Sequence, residues 1–86
     1  MPLKVNLVSA ESEVWSGEAT LVVAKTVLGE IGFMPGHEPV LAVLAEGQVR
    51  ITQTDGSKIT ANAQDGFLSM DGDEISIVAG NAALIA

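Results

Sequence analysis

The sequence has no cysteine and no tyrosine, and only one tryptophan and one histidine among 86 residues. Without cysteine, disulfides and thiolate metal sites are excluded, and a disulfide-stapled secreted module is not expected. Positive charge is also scarce, because 4 Lys and Arg stand against 11 Asp and Glu and the net charge is -7. Such a surface repels phosphate backbones and anionic membranes, so we expect no nucleic-acid ligand.

Long hydrophobic runs are absent as well. The longest, Val40–Ala45, is far shorter than the roughly 20 apolar residues that span a bilayer, and residues 1–4 lack a signal-peptide core. We therefore expect a cytosolic or cytosol-facing domain with no lipid insertion. Hydrophobic residues nevertheless make up 48% and charged residues only 17% of the chain. Either small alanines inflate the apolar count, or some apolar surface faces another protein.

The pattern of residues predicts short strands. Nine glycines and three prolines punctuate the chain, and apolar and polar residues alternate from Leu3 to Leu7, as in a half-buried strand. Two more alternating runs, Val49–Thr54 and Lys58–Ala63, flank Asp55-Gly56, a strong hairpin signal in which both turn residues would take positive φ. The pattern recurs around the turn at 71–73.

The segment Pro39–Gly47 leaves two interpretations open. It has the ends of a short helix, but its neighbours are strands that need pairing partners, which favours a buried strand. About ten short strands would then form one domain over residues 1–86, an all-β fold with two packed sheets in a β-sandwich or flattened barrel. We expect Trp15 to lie in its core.

Few residues are suited to catalysis. His37 has no evident serine partner, and no phosphate-binding loop is present. Glu30, His37 and Glu38 match no familiar metal-ligand spacing. We therefore expect no catalytic residue, no metal and no cofactor, although a small enzyme or metal-binding domain remains an alternative. The expected activity is protein binding.

The run from Gly29 to Leu41 is the most constrained part of the chain. Two glycines flank Glu30, and Phe33-Met34 leads into the turn signal Pro35-Gly36 before His37. One interpretation is a stiff contact loop that loses little entropy on binding. The other is an ordinary connection in which His37 packs against a neighbour.

This run resembles the N-terminal domain of the epsilon subunit of rotary ATP synthases. The resemblance extends over essentially the whole chain, through the segments Val8–Glu11, Ser16-Gly17, Gly29–Gly32, Pro35–His37, Gly47–Ile51 and Gly66–Leu68. It implies a ten-stranded β-sandwich without an active site, which joins the gamma subunit to the ring of c subunits and helps couple proton flow to ATP synthesis. It also implies a peripheral place at the cytoplasmic face of a bacterial membrane.

Position by position, the resemblance implies two contact sites. The site for the c ring comprises Glu30, Pro35, Gly36 and His37. The site for gamma comprises Ser9, Val40, Leu41 and Ala42. Family members usually continue into two C-terminal helices that regulate ATP hydrolysis, and since this chain ends at Ala86, we expect those helices and any nucleotide site on them to be absent. A generic β-sandwich interaction or scaffold module is the alternative function.

Overall fold

The structure, a computed structural model, describes residues 2–36 and 38–85. In that part of the chain all regular structure is β, as predicted. There are six strands: β1 Leu3–Ser9, β2 Glu13–Thr26, β3 Gly29–Phe33, β4 Val40–Gln53, β5 Lys58–Asp71 and β6 Glu74–Ile85.

The strands close into a ring. Their order is β1-β6-β5-β4-β2-β3, and an additional pairing of β1 with β2 closes five of them into a barrel, with β3 attached outside the ring to β2. The neighbours are antiparallel except for β1 and β6, which run parallel with Leu7 beside Ile77. This pairing joins the two ends of the chain, so the barrel depends on a contact between segments far apart in sequence.

The expectation of about ten short strands was wrong, because the strands bend where we expected them to end. β2, β4 and β5 each have 14 residues and β6 has 12. Gly47, Gly66 and Gly80 lie inside β4, β5 and β6. A Cβ at Gly66 would stand 1.8 Å from the Val78 carbonyl oxygen, so the backbones of β5 and β6 approach there more closely than any side chain allows.

These bends flatten the barrel into two layers, consistent with a β-sandwich. The first half of β4 pairs with the second half of β5, where Val43 lies opposite Phe67. The second half of β4 pairs with the first half of β5 and also with β2, where Ile51 lies between Ile59 and Val22. Each long strand therefore contributes one half to each layer.

The segment left open between helix and strand is a strand. Val40 pairs with Met70 and Ala42 with Leu68, and both partners are buried. The helix-like ends at Pro39 and Gly47 do not decide the structure here, because pairing along β5 provides hydrogen bonds and burial together.

The predicted hairpin between β4 and β5 is confirmed, with a longer turn than expected. Its connection covers residues 54–57, and of Asp55 and Gly56 only Gly56 has a positive φ, of 90°. The Asp55 carboxylate accepts hydrogen bonds from the Ser57 hydroxyl at 2.6 Å and the Ser57 backbone N–H at 2.9 Å. The hydroxyl and then the backbone N–H of Ser57 lower the pKa of Asp55 below its ordinary value.

The core lies between the two layers and comes from all six strands. Its largest fully buried side chains are Phe33, Leu3, Leu7, Ile51, Leu68, Met70, Ile75 and Ile77. Complete burial of such a side chain stabilises the fold by roughly 1.5–3 kcal/mol. Trp15 packs against this core as expected while remaining partly exposed, and its ring covers Gly17, where a Cβ would lie 2.7 Å from the indole.

Candidate interaction surfaces

One outer face carries the charged residues of the β2–β3 hairpin. Lys25 and Glu30 are paired across the hairpin, so their side chains lie on the same side of it, and both residues are exposed. Arg50 reaches this face from β4, and its Nη2 lies 2.8 Å from the Glu30 Oε1. We call Lys25, Glu30 and Arg50 the polar face.

The Glu30–Arg50 ion pair is open to solvent, with the two side chains about half exposed. Exposed pairs of this kind contribute roughly 0–1 kcal/mol. Lys25 does not complete a second pair in the described residues: its stem lies across Gly47, where a Cβ would approach its Cδ to 2.8 Å. The carboxylate of Glu30 is therefore oriented by Arg50 and still accessible.

The Pro35-Gly36 turn lies away from Glu30. The Gly36 backbone N–H donates a hydrogen bond of 3.1 Å to the Asp73 Oδ1, which ties this turn to the turn between β5 and β6. Glu30 stands near the start of β3, and Pro35 follows its end. The structure thus separates these predicted c-ring residues by the length of a strand, and His37 lies outside the described residues. No pattern in the sequence predicts the contact with Asp73.

A second outer face is apolar. Val43, Phe67 and Val78 lie in register on β4, β5 and β6, and Val8 on β1 extends the same row. Phe67 is 44% exposed and Val43 56%. Leu41, two residues before Val43 on the same strand, is 72% exposed. We call Leu41, Val43, Phe67, Val78 and Val8 the apolar face.

Only one of the predicted gamma-contact residues points outward on this face, and that is Leu41. Val40 packs against the core, and Ala42 is only partly exposed on the same inward side as Val40. Ser9 is used in the β1–β2 turn, where its hydroxyl donates to the Ser12 carbonyl at 3.1 Å. Their role in binding stays a prediction.

The sequence pattern did not predict that Val43, Phe67 and Val78 lie at the surface. A signal was present, since apolar residues occupy both the inward and outward positions of these strands. Ordinary half-buried strands place polar residues at the outward positions. What the sequence does not show is that the three strands lie side by side with those positions in one row.

Metal binding has no visible basis in residues 2–36 and 38–85. No group of three or more histidine, cysteine, aspartate or glutamate side chains lies close enough there to hold an ion. The trio considered from the sequence includes His37, which lies outside that range. Within the same residues no helix is long and apolar enough to cross a membrane.

The fold and its surfaces define a small β-sandwich with one apolar and one polar outer face. Residues 2–85 match the family described as the ATP synthase delta/epsilon chain, β-sandwich domain. The chain therefore belongs to this family. The match extends over nearly the whole chain, so both faces lie within the family's domain.

Curated relatives are named ATP synthase epsilon chain. The chain is 51% identical over 82 residues to the one from Micrococcus luteus, with 95% of this chain and 90% of that one covered. It is 52% identical over 77 residues to the one from Streptomyces coelicolor, with 90% and 62% covered. The one from Frankia casuarinae is 45% identical over 84 residues, with 98% and 99% covered. The chain thus spans less than two thirds of the Streptomyces protein.

Solved structures share the fold. A chain in the cryo-EM structure of the Euglena gracilis mitochondrial ATP synthase, OSCP/F1/c-ring, has a TM-score of 0.90 at 20% identity, with 96% of this chain and 53% of that one covered. A chain of the Tetrahymena thermophila mitochondrial ATP synthase, central stalk and c ring, has a TM-score of 0.77 at 15% identity, with 95% and 66% covered.

Proposed function

We propose that this chain is a non-catalytic subunit in the central stalk of an ATP synthase, where it docks the gamma subunit to the ring of c subunits. In this role it helps couple proton translocation to ATP synthesis. Membership in the delta/epsilon family supports the proposal, as do the epsilon-chain names of relatives about 51% identical to it. The complex would hold the chain at the cytoplasmic side of a bacterial membrane without lipid insertion.

The apolar face is the proposed gamma site, and it is the observation that carries the proposal. In a protein with a net charge of -7, a row of four apolar side chains on four adjacent strands leaves Phe67 44% exposed to water. Burying such a row against a partner is favourable by about 25 cal/mol per Å² of apolar surface. Leu41 belongs to this site, and Ser9, Val40 and Ala42 lie on the same strands beneath or beside it.

The polar face is the proposed c-ring site. Glu30 offers an oriented, solvent-accessible carboxylate, which suits a partner loop that carries hydrogen-bond donors or positive charge. The proposal keeps Pro35, Gly36 and His37 as further contacts at the other end of β3. Two outer faces of different chemistry fit a role between two different partners.

Binding to gamma tests this function. The purified chain is titrated with the cognate gamma subunit in its complex with the catalytic subunits, and binding is followed by calorimetry. We expect a dissociation constant in the micromolar range or tighter, with a negative heat-capacity change from apolar burial. The absence of binding at micromolar concentrations would falsify the proposal.

A further inference from the structure

Aspartate is followed by glycine at three places in the chain, Asp55-Gly56, Asp65-Gly66 and Asp71-Gly72. This dipeptide is chemically labile, because glycine has no side chain to obstruct an attack by its own backbone nitrogen. The nitrogen attacks the protonated side-chain carboxyl group, and a succinimide ring closes as the amide proton and the carboxyl hydroxyl leave as water. Water then opens the ring at either carbonyl, which gives back aspartate or gives its isomer isoaspartate.

The structure engages both reacting groups of Asp55-Gly56. The Gly56 N–H donates a hydrogen bond of 3.0 Å to the Gln53 carbonyl. The Asp55 carboxylate accepts hydrogen bonds from the hydroxyl and the backbone N–H of Ser57. These bonds lower the pKa of Asp55, which keeps its carboxyl group ionised and therefore a poor electrophile. All three bonds oppose closure of the ring at this position.

The second dipeptide, Asp65-Gly66, is enclosed by β6. Gly66 pairs with Ala79, and its backbone approaches the Val78 carbonyl so closely that a Cβ would stand 1.8 Å from the oxygen. The Cβ of Asp65 lies 3.3 Å from the position that a Cβ on Gly80 would take. A succinimide ring between Asp65 and Gly66 would therefore need space that β6 already occupies.

The third dipeptide is open. Asp71 and Gly72 are both exposed at the tip of the β5–β6 hairpin, where Asp71 pairs with Glu74 and Gly72 has a φ of 62°. In the part of the chain that the structure describes, no group donates a hydrogen bond to the Asp71 carboxylate, and the Gly72 N–H has no acceptor. When the turn fluctuates, the carboxyl group can therefore swing over the glycine nitrogen without first breaking a hydrogen bond of either group.

We propose that Asp71-Gly72 is a modification site, at which isoaspartate forms spontaneously and faster than at the other two dipeptides of the folded chain. The main chain of the product runs through the former side chain and leaves a free α-carboxylate. Such a product belongs to the substrate class of isoaspartyl methyltransferases, which transfer a methyl group from S-adenosylmethionine to that carboxylate as an ester. The inference concerns the chain alone and does not depend on the proposed function.

The modification would disturb the structure around the turn. Isoaspartate adds one carbon atom to the main chain, whereas the pairing register of a hairpin is fixed by the length of its turn. Asp73 in this turn holds two other segments, since its carboxylate accepts from the Gly36 N–H at 3.1 Å and its carbonyl accepts from the Lys4 N–H at 2.7 Å. Displacement of Asp73 would therefore loosen the Pro35-Gly36 turn and the start of β1 together.

The test follows isoaspartate in the folded 86-residue chain during incubation at neutral pH. Trypsin separates residues 51–58, which carry Asp55, from residues 59–86, which carry Asp65 and Asp71. Electron-transfer fragmentation then assigns the isomer within the longer peptide. Because each hydrogen bond that must break first lowers the reactive population about fivefold, we expect isoaspartate to form at least about tenfold faster at Asp71 than at Asp55. In the chain unfolded by guanidinium the three rates should be similar.

Two variants complete the test. Asp71→Glu keeps the charge but would need a six-membered ring, which closes far more slowly. The aged original chain should melt at a lower temperature and exchange the amide hydrogens of Lys4 and Gly36 faster, whereas aged Asp71→Glu should change in neither respect. Ser57→Ala removes one hydrogen bond from Asp55, so we expect isoaspartate there to form severalfold faster.

Three results would overturn the proposal. Equal rates at Asp55 and Asp71 in the folded chain would show that the hydrogen bonds do not protect Asp55. A faster reaction at Asp65 would show that the crowding by β6 does not protect that dipeptide. If isoaspartate forms at Asp71 only after unfolding, the open turn is not a modification site.

Discussion

The apolar and polar faces are built from the same strands and differ in what points outward. On β4, Leu41 and Val43 belong to the apolar face and Arg50 to the polar face, while Leu44, Val49 and Ile51 fill the core. The inward positions have one character throughout, whereas the outward positions change from apolar to charged within one strand. The core therefore determines the fold, and the outward residues are available for partners.

The two faces also differ in how much binding energy they offer. Phe67 and its neighbours provide apolar area, whose burial is strongly favourable and is not weakened by charge screening. The Glu30–Arg50 pair provides orientation and partner choice, because exposed charges are screened over about 10 Å at 0.1 M salt. We expect the apolar face to hold its partner permanently and the polar face to select its partner.

The largest effect is expected where both faces depend on one residue. Gly66→Ala places a Cβ 1.8 Å from the Val78 carbonyl oxygen, and the obstacle is backbone, which cannot move aside cheaply. We expect unfolding to become easier by about 3 kcal/mol or more, as for severe overpacking. Chemical denaturation monitored by tryptophan fluorescence measures this change.

A second glycine provides the matched control. A Cβ at Gly32 would meet only the Leu21 and Val23 side chains, at 3.7 and 3.9 Å, which are ordinary contacts. Gly32→Ala should therefore change stability by less than about 1 kcal/mol. Equal destabilisation by the two substitutions would show that the clash with the Val78 carbonyl is not the cause of the effect at Gly66.

The next largest effect should break the apolar face alone. Phe67→Asp places a charge at the centre of the row, and a buried unpaired charge opposes docking. We expect affinity for gamma to fall about 100-fold, equivalent to roughly 2.7 kcal/mol, with the fold retained. Asn62→Asp adds the same charge to the same strand at an exposed position outside the row, and calorimetry should find its affinity unchanged.

A smaller effect is expected on the polar face. Glu30→Lys reverses the charge beside Arg50 and should weaken c-ring binding about tenfold, roughly 1.4 kcal/mol. Thermal unfolding should shift little, because the pair is exposed. The double variant Glu30→Arg, Arg50→Glu restores an ion pair in the reverse sense. If the double variant is as stable as the original chain and still binds the ring weakly, Glu30 acts through the partner. Full recovery of ring binding would contradict that role.

The smallest effect is expected at Asp55, which belongs to neither face. Because its pKa is lowered, the ionised carboxylate of Asp55 stabilises the folded chain at pH values above its unfolded pKa of about 3.9. This stabilisation is lost as the pH falls through the lower pKa of the folded state. Asp55→Asn should lower the melting temperature slightly at pH 7. The two melting curves should converge in strong acid, and a difference that persists there would assign the effect to geometry instead of charge.

Much of the fold follows from local patterns. The alternation around Asp55-Gly56 correctly predicts the β4–β5 hairpin. The need of each neighbouring strand for a pairing partner correctly favours a strand over a helix in the segment Pro39–Gly47. The prediction of about ten strands was wrong because a glycine can lie inside a long strand as well as at the end of a short one. Whether Gly66 ends β5 or bends it depends on Val78, a residue contributed by another strand.

The surfaces follow from sequence less completely. Glu30 and Leu41, which were predicted as contact residues, are both exposed. Local alternation fixes which side of a strand each of them occupies. The row of Val43, Phe67 and Val78 depends on the register of three strands, and its extension to Val8 depends on the parallel pairing of β1 with β6. Such register is a property of the closed barrel, so no single segment encodes it.

The continuity of the long strands has a mechanical consequence. β4 runs without interruption from Leu41 on one face to Arg50 on the other, and β5 and β6 also pass from one layer to the other. A load applied at one face therefore reaches the other along covalent backbone as well as through packed side chains. A domain assembled from ten separate strands would transmit the same load through turns, which deform more easily than paired backbone.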